Sequence, residues 1–238
     1  MAYDKVVDSA KLDADLKSVA DAIKAKSGTT GKLEFPDGYI SDVGTLVNAE
    51  DYLAAVLNKE VVEIVNSKVT SIPSGFQTSN QNLKRVILPA ATIANDDAFA
   101  NCYYLEEADF SSVTSIGAQF ITSNGKLTEL YMPSLTTMTS WGYTFNVCQA
   151  LKKVVFPVFT GTITGASFNS CKSLETLVLG ADTVCTLSST DVFSGTPIAS
   201  GTGYIYVKRA LVDSFKAKTN WNVFQFRAIE DYPDICGE

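Results

Sequence analysis

Leu83-Lys-Arg-Val-Ile-Leu-Pro89 is the stretch whose reading decides the fold, because the chain repeats it. The phrase returns as Leu105-Glu-Glu-Ala-Asp-Phe110, Leu127-Thr-Glu-Leu-Tyr-Met-Pro133, Leu151-Lys-Lys-Val-Val-Phe-Pro157 and Leu174-Glu-Thr-Leu-Val-Leu179. Its opening leucines are 22, 22, 24 and 23 residues apart. A unit of that length cannot bury its own apolar face and must stack on a neighbour, so the spacing predicts a solenoid. Working backwards, Val61-Val-Glu-Ile-Val-Asn66 lies one period before Leu83, which sets six units starting near 61, 83, 105, 127, 151 and 174.

Within each unit, phrase positions 1, 4 and 6 (Leu83, Val86 and Leu88 in the second) are expected to point inward, and the phrases to pair as a parallel sheet with strands ~4.8 Å apart. A second apolar position follows, at Ile72, Ile93, Ile116, Met138, Ile163 and Leu187. An aromatic then closes the coil at Phe76, Phe99, Phe120, Phe145, Phe168 and Phe193. Pro89, Pro133 and Pro157 stand where a strand should stop, since proline has no N–H to continue a ladder.

Outside the repeats, residues 9–27 read as an amphipathic helix, with Leu12, Leu16, Val19, Ala20 and Ile23 on one stripe and Ser9 as its cap. Residues 41–58 read as a second. The period dissolves after Phe193, and Tyr204-Ile-Tyr-Val207 followed by Leu211, Val212 and Phe215 reads as a capping strand plus a short helix. The expected organisation is therefore a helical module or cap over 1–58, a repeat solenoid over 59–203 and a C-terminal cap over 204–238, in a β-rich α/β fold.

The composition narrows function. A net charge of −7 disfavours nucleic acid, which needs clustered Lys and Arg. No stretch approaches the ~20 apolar residues that span a bilayer, so membrane insertion is not expected, and the N-terminus lacks the apolar core of a signal peptide. Histidine is absent, which removes Ser-His-Asp and Cys-His systems and His-ligated zinc. A carboxylate pair drawn from Asp97, Glu106, Glu107, Asp109 and Glu129, or a calcium site from Asp96, Asp97 and Asp109, reads more simply as solvated surface acids. Cys102, Cys148 and Cys171 each follow an aromatic by three residues and read as a ladder of packed thiols. No catalytic residue, cofactor or metal is expected.

The outward sheet face is the candidate for function. Position 5 reads Val65, Ile87, Asp109, Tyr131, Val155 and Val178, a largely apolar stripe where polar residues would be ordinary. Position 3 supplies flanking charges, with Arg85 opposite Glu107 and Glu129 opposite Lys153. Such a stripe suits a partner; equally, β-branched residues fill strands whatever they face, and the N-terminal helices could cover it.

The pattern Leu-x-x-Val-x-Leu-Pro, then isoleucine, then Ala-Phe-x-Asn-Cys, clearest from Leu83 to Cys102 and from Leu151 to Cys171, resembles the BspA-type leucine-rich repeat of bacterial and protist surface proteins. Tyr204-Ile-Tyr-Val-Lys to Trp221 is similar to the segment that closes such arrays. Leu16-Lys-Ser-Val-Ala-Asp-Ala-Ile to Phe35-Pro-Asp-Gly-Tyr39 is similar to a short module of phage and prophage tail-associated proteins from Gram-positive bacteria. These resemblances imply a non-enzymatic protein that binds a protein or a surface glycan, at a cell surface, extracellularly or on a phage particle, or else a structural spacer with an assembly module.

Overall fold

The computed structural model describes residues 56–139 and 141–236. The first predicted helix, nearly all of the second, and the tail-module resemblance lie outside them.

Each coil carries one strand on a front sheet and a shorter one on a back sheet. The front strands are β1 (Glu63–Val65), β3 (Arg85–Ile87), β5 (Glu107–Asp109), β7 (Glu129–Tyr131), β9 (Lys153–Phe156) and β11 (Thr176–Leu179), followed by β13 (Tyr204–Val207) and β14 (Phe226–Ala228). The back strands are β2 (Ser71–Ile72), β4 (Ile93–Ala94), β6 (Ser115–Ile116), β8 (Thr137–Met138), β10 (Thr162–Ile163) and β12 (Thr186–Leu187). Every pairing among the described residues is parallel, and those within the repeats join equivalent positions, such as Val86 with Ala108 and Leu130 with Val154. The solenoid that the spacing predicts is the fold.

Leu83, Val86 and Leu88 are fully buried, as are Leu105, Leu151 and Leu174. They share one continuous core with the ring column. Phe99 lies 5.9 Å from Phe120, Phe145 stacks on Phe168 at 5.1 Å, and Phe168 stacks on Phe193 at 5.6 Å with the planes only 3° apart. Position 6 adds Phe110 and Phe156 to the same stack. The outer arcs are joined coil to coil as well: Phe99 N–H donates to the Phe120 carbonyl and Phe168 N–H to that of Val192, each at 2.9 Å. Burial and backbone pairing therefore reinforce one another at every level of the stack.

Two details differ from the sequence reading. Ile93 is exposed, and Ala94 takes the inward place, in register between Ile72 and Ile116. The spacing from Ile72 to Ala94 to Ile116 to Met138 is a regular 22, so the larger side chain lost to the register. The front sheet is also not continuous: β1-β3-β5 form one ladder and β7-β9-β11-β13-β14 another, with no hydrogen-bonded pairing of β5 with β7. The seam coincides with Ala108, which stands where the neighbouring coils have Val86 and Leu130. The back sheet breaks one coil later, between β8 and β10.

At the C-terminal end, Thr196 caps a short helix, α1 (Pro197–Ser200), by accepting from the Ala199 N–H at 3.1 Å. Beyond β13 comes α2 (Val212–Ala217), and then β14, one strand more than expected. Trp221, fully buried, donates its indole N–H to the Cys185 carbonyl at 2.9 Å and packs its ring near Phe193, Phe215 and Phe226. The last coil is thus shielded from water by aromatic bulk.

Candidate binding face

Position 3 side chains line one column of the front sheet. Arg85 donates from Nε to Glu107 at 2.8 Å and also to Glu63, so it bridges three adjacent strands. Those two hydrogen bonds, Glu107's first, hold its guanidinium above the ordinary value. Glu129 and Lys153 are register partners, but their charged ends do not close into an ion pair. Glu107 and Glu129 flank the seam and are both exposed.

Position 5 divides into two halves. Ile87 and Asp109 are half-buried and Tyr131 is 45% exposed. Asp109 turns one carboxylate oxygen back to accept from Ser111 N–H at 2.9 Å. Val155 and Val178 are not exposed, which corrects the expectation of an open stripe along the whole sheet: they are 3% and 0% exposed. What covers them is the chain's own C-terminal segment, whose Ile229, Tyr232, Ile235 and Cys236 pack on Val155, Val178 and Tyr206. Arg227 anchors that segment, its guanidinium lying 3.4 Å from the centre of the Tyr204 ring and 5.2 Å from that of Tyr232. The other possible cover, the N-terminal helices, falls outside the described residues. The apolar spacing Ile229, Tyr232, Ile235 was visible in the sequence, but nothing there tied it to a particular sheet.

The remaining chemistry is structural. Asp96 and Asp97 lie on the outer arc and Asp109 on the front sheet, and among the described residues no cluster of acids and cysteines could hold a metal. The thiols of Cys102, Cys148 and Cys171 are buried and donate to carbonyls of the preceding coil, those of Gln77, Ile121 and Phe145, at 3.1, 3.0 and 3.0 Å. Asn80 and Asn124 fill the same column, three residues before their own leucines, and their amides reach the Val61 and Phe99 carbonyls. They were missed because they follow their phenylalanine by four residues instead of three.

Burial pushes the thiols of Cys102 and Cys185 up to about 12, from an ordinary 9.0. At neutral pH a disulfide-exchange reagent should label Cys236 promptly, and Cys102, Cys148, Cys171 and Cys185 only on unfolding. The folded state keeps the Cys102 and Cys185 protons while the unfolded chain loses them above pH 9. Their contribution is therefore complete below pH 9 and falls as pH rises toward 12. Between about pH 8 and about pH 10, the wild type should lose more of its urea midpoint than a Cys102→Ala, Cys185→Ala variant. Equal losses would show that these thiols are not shielded.

Six copies of the BspA type leucine rich repeat region match residues 70–199, more than half of the chain. The chain belongs to the BspA-type leucine-rich repeat family. One solved structure above a TM-score of 0.5 agrees on the fold. The pneumococcal vaccine antigen PcpA aligns with a TM-score of 0.57 at 15% identity, over 71% of this chain and 41% of its own. A leucine-rich repeat protein from Bacteroides ovatus aligns at 0.49 and 15% identity, over 72% and 52%. A leucine rich cell surface protein from Faecalibacterium prausnitzii aligns at 0.38 and 16%, over 78% and 65%. This BspA-type chain thus spans about two fifths to two thirds of the length of those proteins. No curated protein matches its sequence. Among its described residues no helix is long and apolar enough to cross a membrane.

Proposed function

We propose that this BspA-type repeat protein is a non-enzymatic binding protein that engages its partner across the uncovered half of the front sheet. The observation that carries this reading is the division of position 5. One half of the column is sealed by the chain's own Tyr232 and Ile235, which supports reading the other half as a surface for a similar apolar segment. The other half presents Ile87 and Tyr131 without such a cover among the described residues. Glu107, Asp109 and Glu129 surround it, and Arg85 is already engaged with two carboxylates. A partner segment with an apolar or aromatic side chain flanked by basic groups is the complement, which favours protein over glycan at this face.

A cell-surface setting is supported by the family. A second reading, a rigid spacer whose N-terminal segment mediates assembly on a cell or phage particle, is favoured by the resemblance of residues 16–39. The test of the first is an Ile87→Ala, Tyr131→Ala variant assayed for binding to cell-surface extracts, with folding checked by thermal melt. A central aromatic anchor is worth about 2 kcal/mol or more, so binding should weaken by about thirtyfold. A folded variant that binds like the wild type would move the site away from this face.

A further inference from the structure

The fourth unit is the 24-residue one, and register shows where its two extra residues lie. Thr139 N–H donates to the Ile116 carbonyl, which aligns Thr139 with Gly117, and Gln119 N–H donates to the Gly142 carbonyl, which aligns Gln119 with Tyr143. One residue intervenes in the third coil and three in the fourth, at positions 140–142. The insertion lifts Trp141 off the outer arc, where it is 81% exposed, although the chain's other tryptophan, Trp221, is fully buried. A cleft of about 370 Å³ opens beside it, lined by Asp96 and Asp97 from the second coil, Gln119 from the third, and Trp141 and Tyr143 from the fourth.

The polar groups of this cleft are placed and, in part, unused. Asp96 is held by the Ala118 N–H, which donates to Oδ1 at 2.7 Å. Room for that carboxylate exists because residue 117 is glycine: a Cβ there would come within 2.4 Å of Asp96 Oδ1. The Asp97 carboxylate and the Gln119 amide have no hydrogen-bond partner among the described residues. Asp97, Gln119 and Tyr143 occupy equivalent positions in consecutive coils, with φ of 57°, 53° and 57°, where the first coil has Gly75. Three side chains thus stand about one strand spacing (~4.8 Å) apart, at a backbone position that glycine would fill with less strain. The two roots of the insertion, Thr139 and Thr144, each keep a buried hydroxyl without a hydrogen-bond partner among the described residues.

We infer that this cleft binds a neutral pyranose residue of a glycan. An exposed indole face beside unpaired acceptors and an amide matches a ring with an apolar C–H face and a rim of hydroxyls. A purely apolar ligand would strand the Asp97 carboxylate away from water, and a uronic or sialic acid would meet two carboxylates with no cation among the lining residues. The volume sits at the small end of the roughly 300–1,000 Å³ of small-molecule sites, which suits one or two sugar units. This site is separate from the front-sheet face and stands or falls without it.

The test titrates the full chain with methyl glycosides of glucose, galactose, mannose and their N-acetylated amino sugars, followed by tryptophan fluorescence and, for the Trp141 variant, by ligand-observed NMR. Trp141 is the solvent-facing reporter. Saturable binding in the millimolar range by at least one neutral glycoside is expected, weakened about tenfold or more by Trp141→Ala and by Gln119→Ala, with melting temperatures unchanged. Glucuronate and sialic acid should bind about tenfold more weakly than the best neutral sugar. The Ile87→Ala, Tyr131→Ala variant should bind it as the wild type does. No response to any neutral glycoside, preference for an anionic one, or binding of tetramethylammonium in their place would overturn the assignment.

Discussion

Replacing Phe168 with alanine is expected to lower the free energy of unfolding by roughly 3–5 kcal/mol, as read by urea denaturation. The ring lies between two others, near-parallel to both, at 5.1 Å from Phe145 and 5.6 Å from Phe193. Phe156 lies a further 6.5 Å away. Its removal opens a void bounded by rigid rings fixed from both sides, so the site cannot collapse to fill it. For a domain of this size the melting temperature should fall by about 10 °C. Phe76→Ala is the internal control. That ring is only partly buried and has one aromatic neighbour among the described residues, Phe99 at 6.0 Å, so its loss should cost clearly less. Equal costs at the two positions, or less than about 1 kcal/mol at Phe168, would mean that the ring column is not what holds the coils together.

Truncation after Gly203 should have the larger effect, abolishing the folded monomer. Four residues of β13 pair one for one with β11, from Thr176 with Tyr204 to Leu179 with Val207. Without them the β11 edge is bare, Phe193 loses Trp221 and Phe224, and Val155 and Val178 lose their cover. A bare parallel edge beside exposed rings is a template for association. Gel filtration should show aggregates or no soluble protein, with strong binding of a hydrophobic dye. A milder cut after Ala228 keeps both capping strands and Trp221 and removes only the strap. That protein should stay folded and bind the dye at the newly opened half-column. If the Gly203 truncation instead remained a monomer with an unshifted melt, the end of the stack would need no cap.

The architecture was legible because the signal for it is periodic. Leu83, Leu105, Leu127, Leu151 and Leu174 announce a stack however loosely the intervening residues are read, and packing punishes any departure from it. What the sequence did not disclose lies where periodicity carries no information. Ile93 was taken for a core residue on its chemistry, but register is decided by length, and length selected Ala94. The covering of Val155 and Val178 by Tyr232 and Ile235 joins parts of the chain about 55–80 residues apart, with no repeat to announce it. The seam between β5 and β7 involves backbone pairing that no side-chain pattern encodes. Trp141 did have a signal, the interval of 24 in place of 22, which the leucine count recorded without locating. Only the hydrogen bonds of Gly117, Gln119 and Thr139 show on which side of the coil the surplus sits.

That placement has a practical corollary. The hydrogen bonds of Thr139 and of Gly142 remain in step with the third coil, so the extra length is absorbed between them, where Trp141 faces solvent. The cost of lengthening a surface loop grows only logarithmically. The fourth coil therefore offers a splice point through which a foreign epitope or a small guest domain can be threaded, displayed away from both sheets while the pitch of the stack stays as it is.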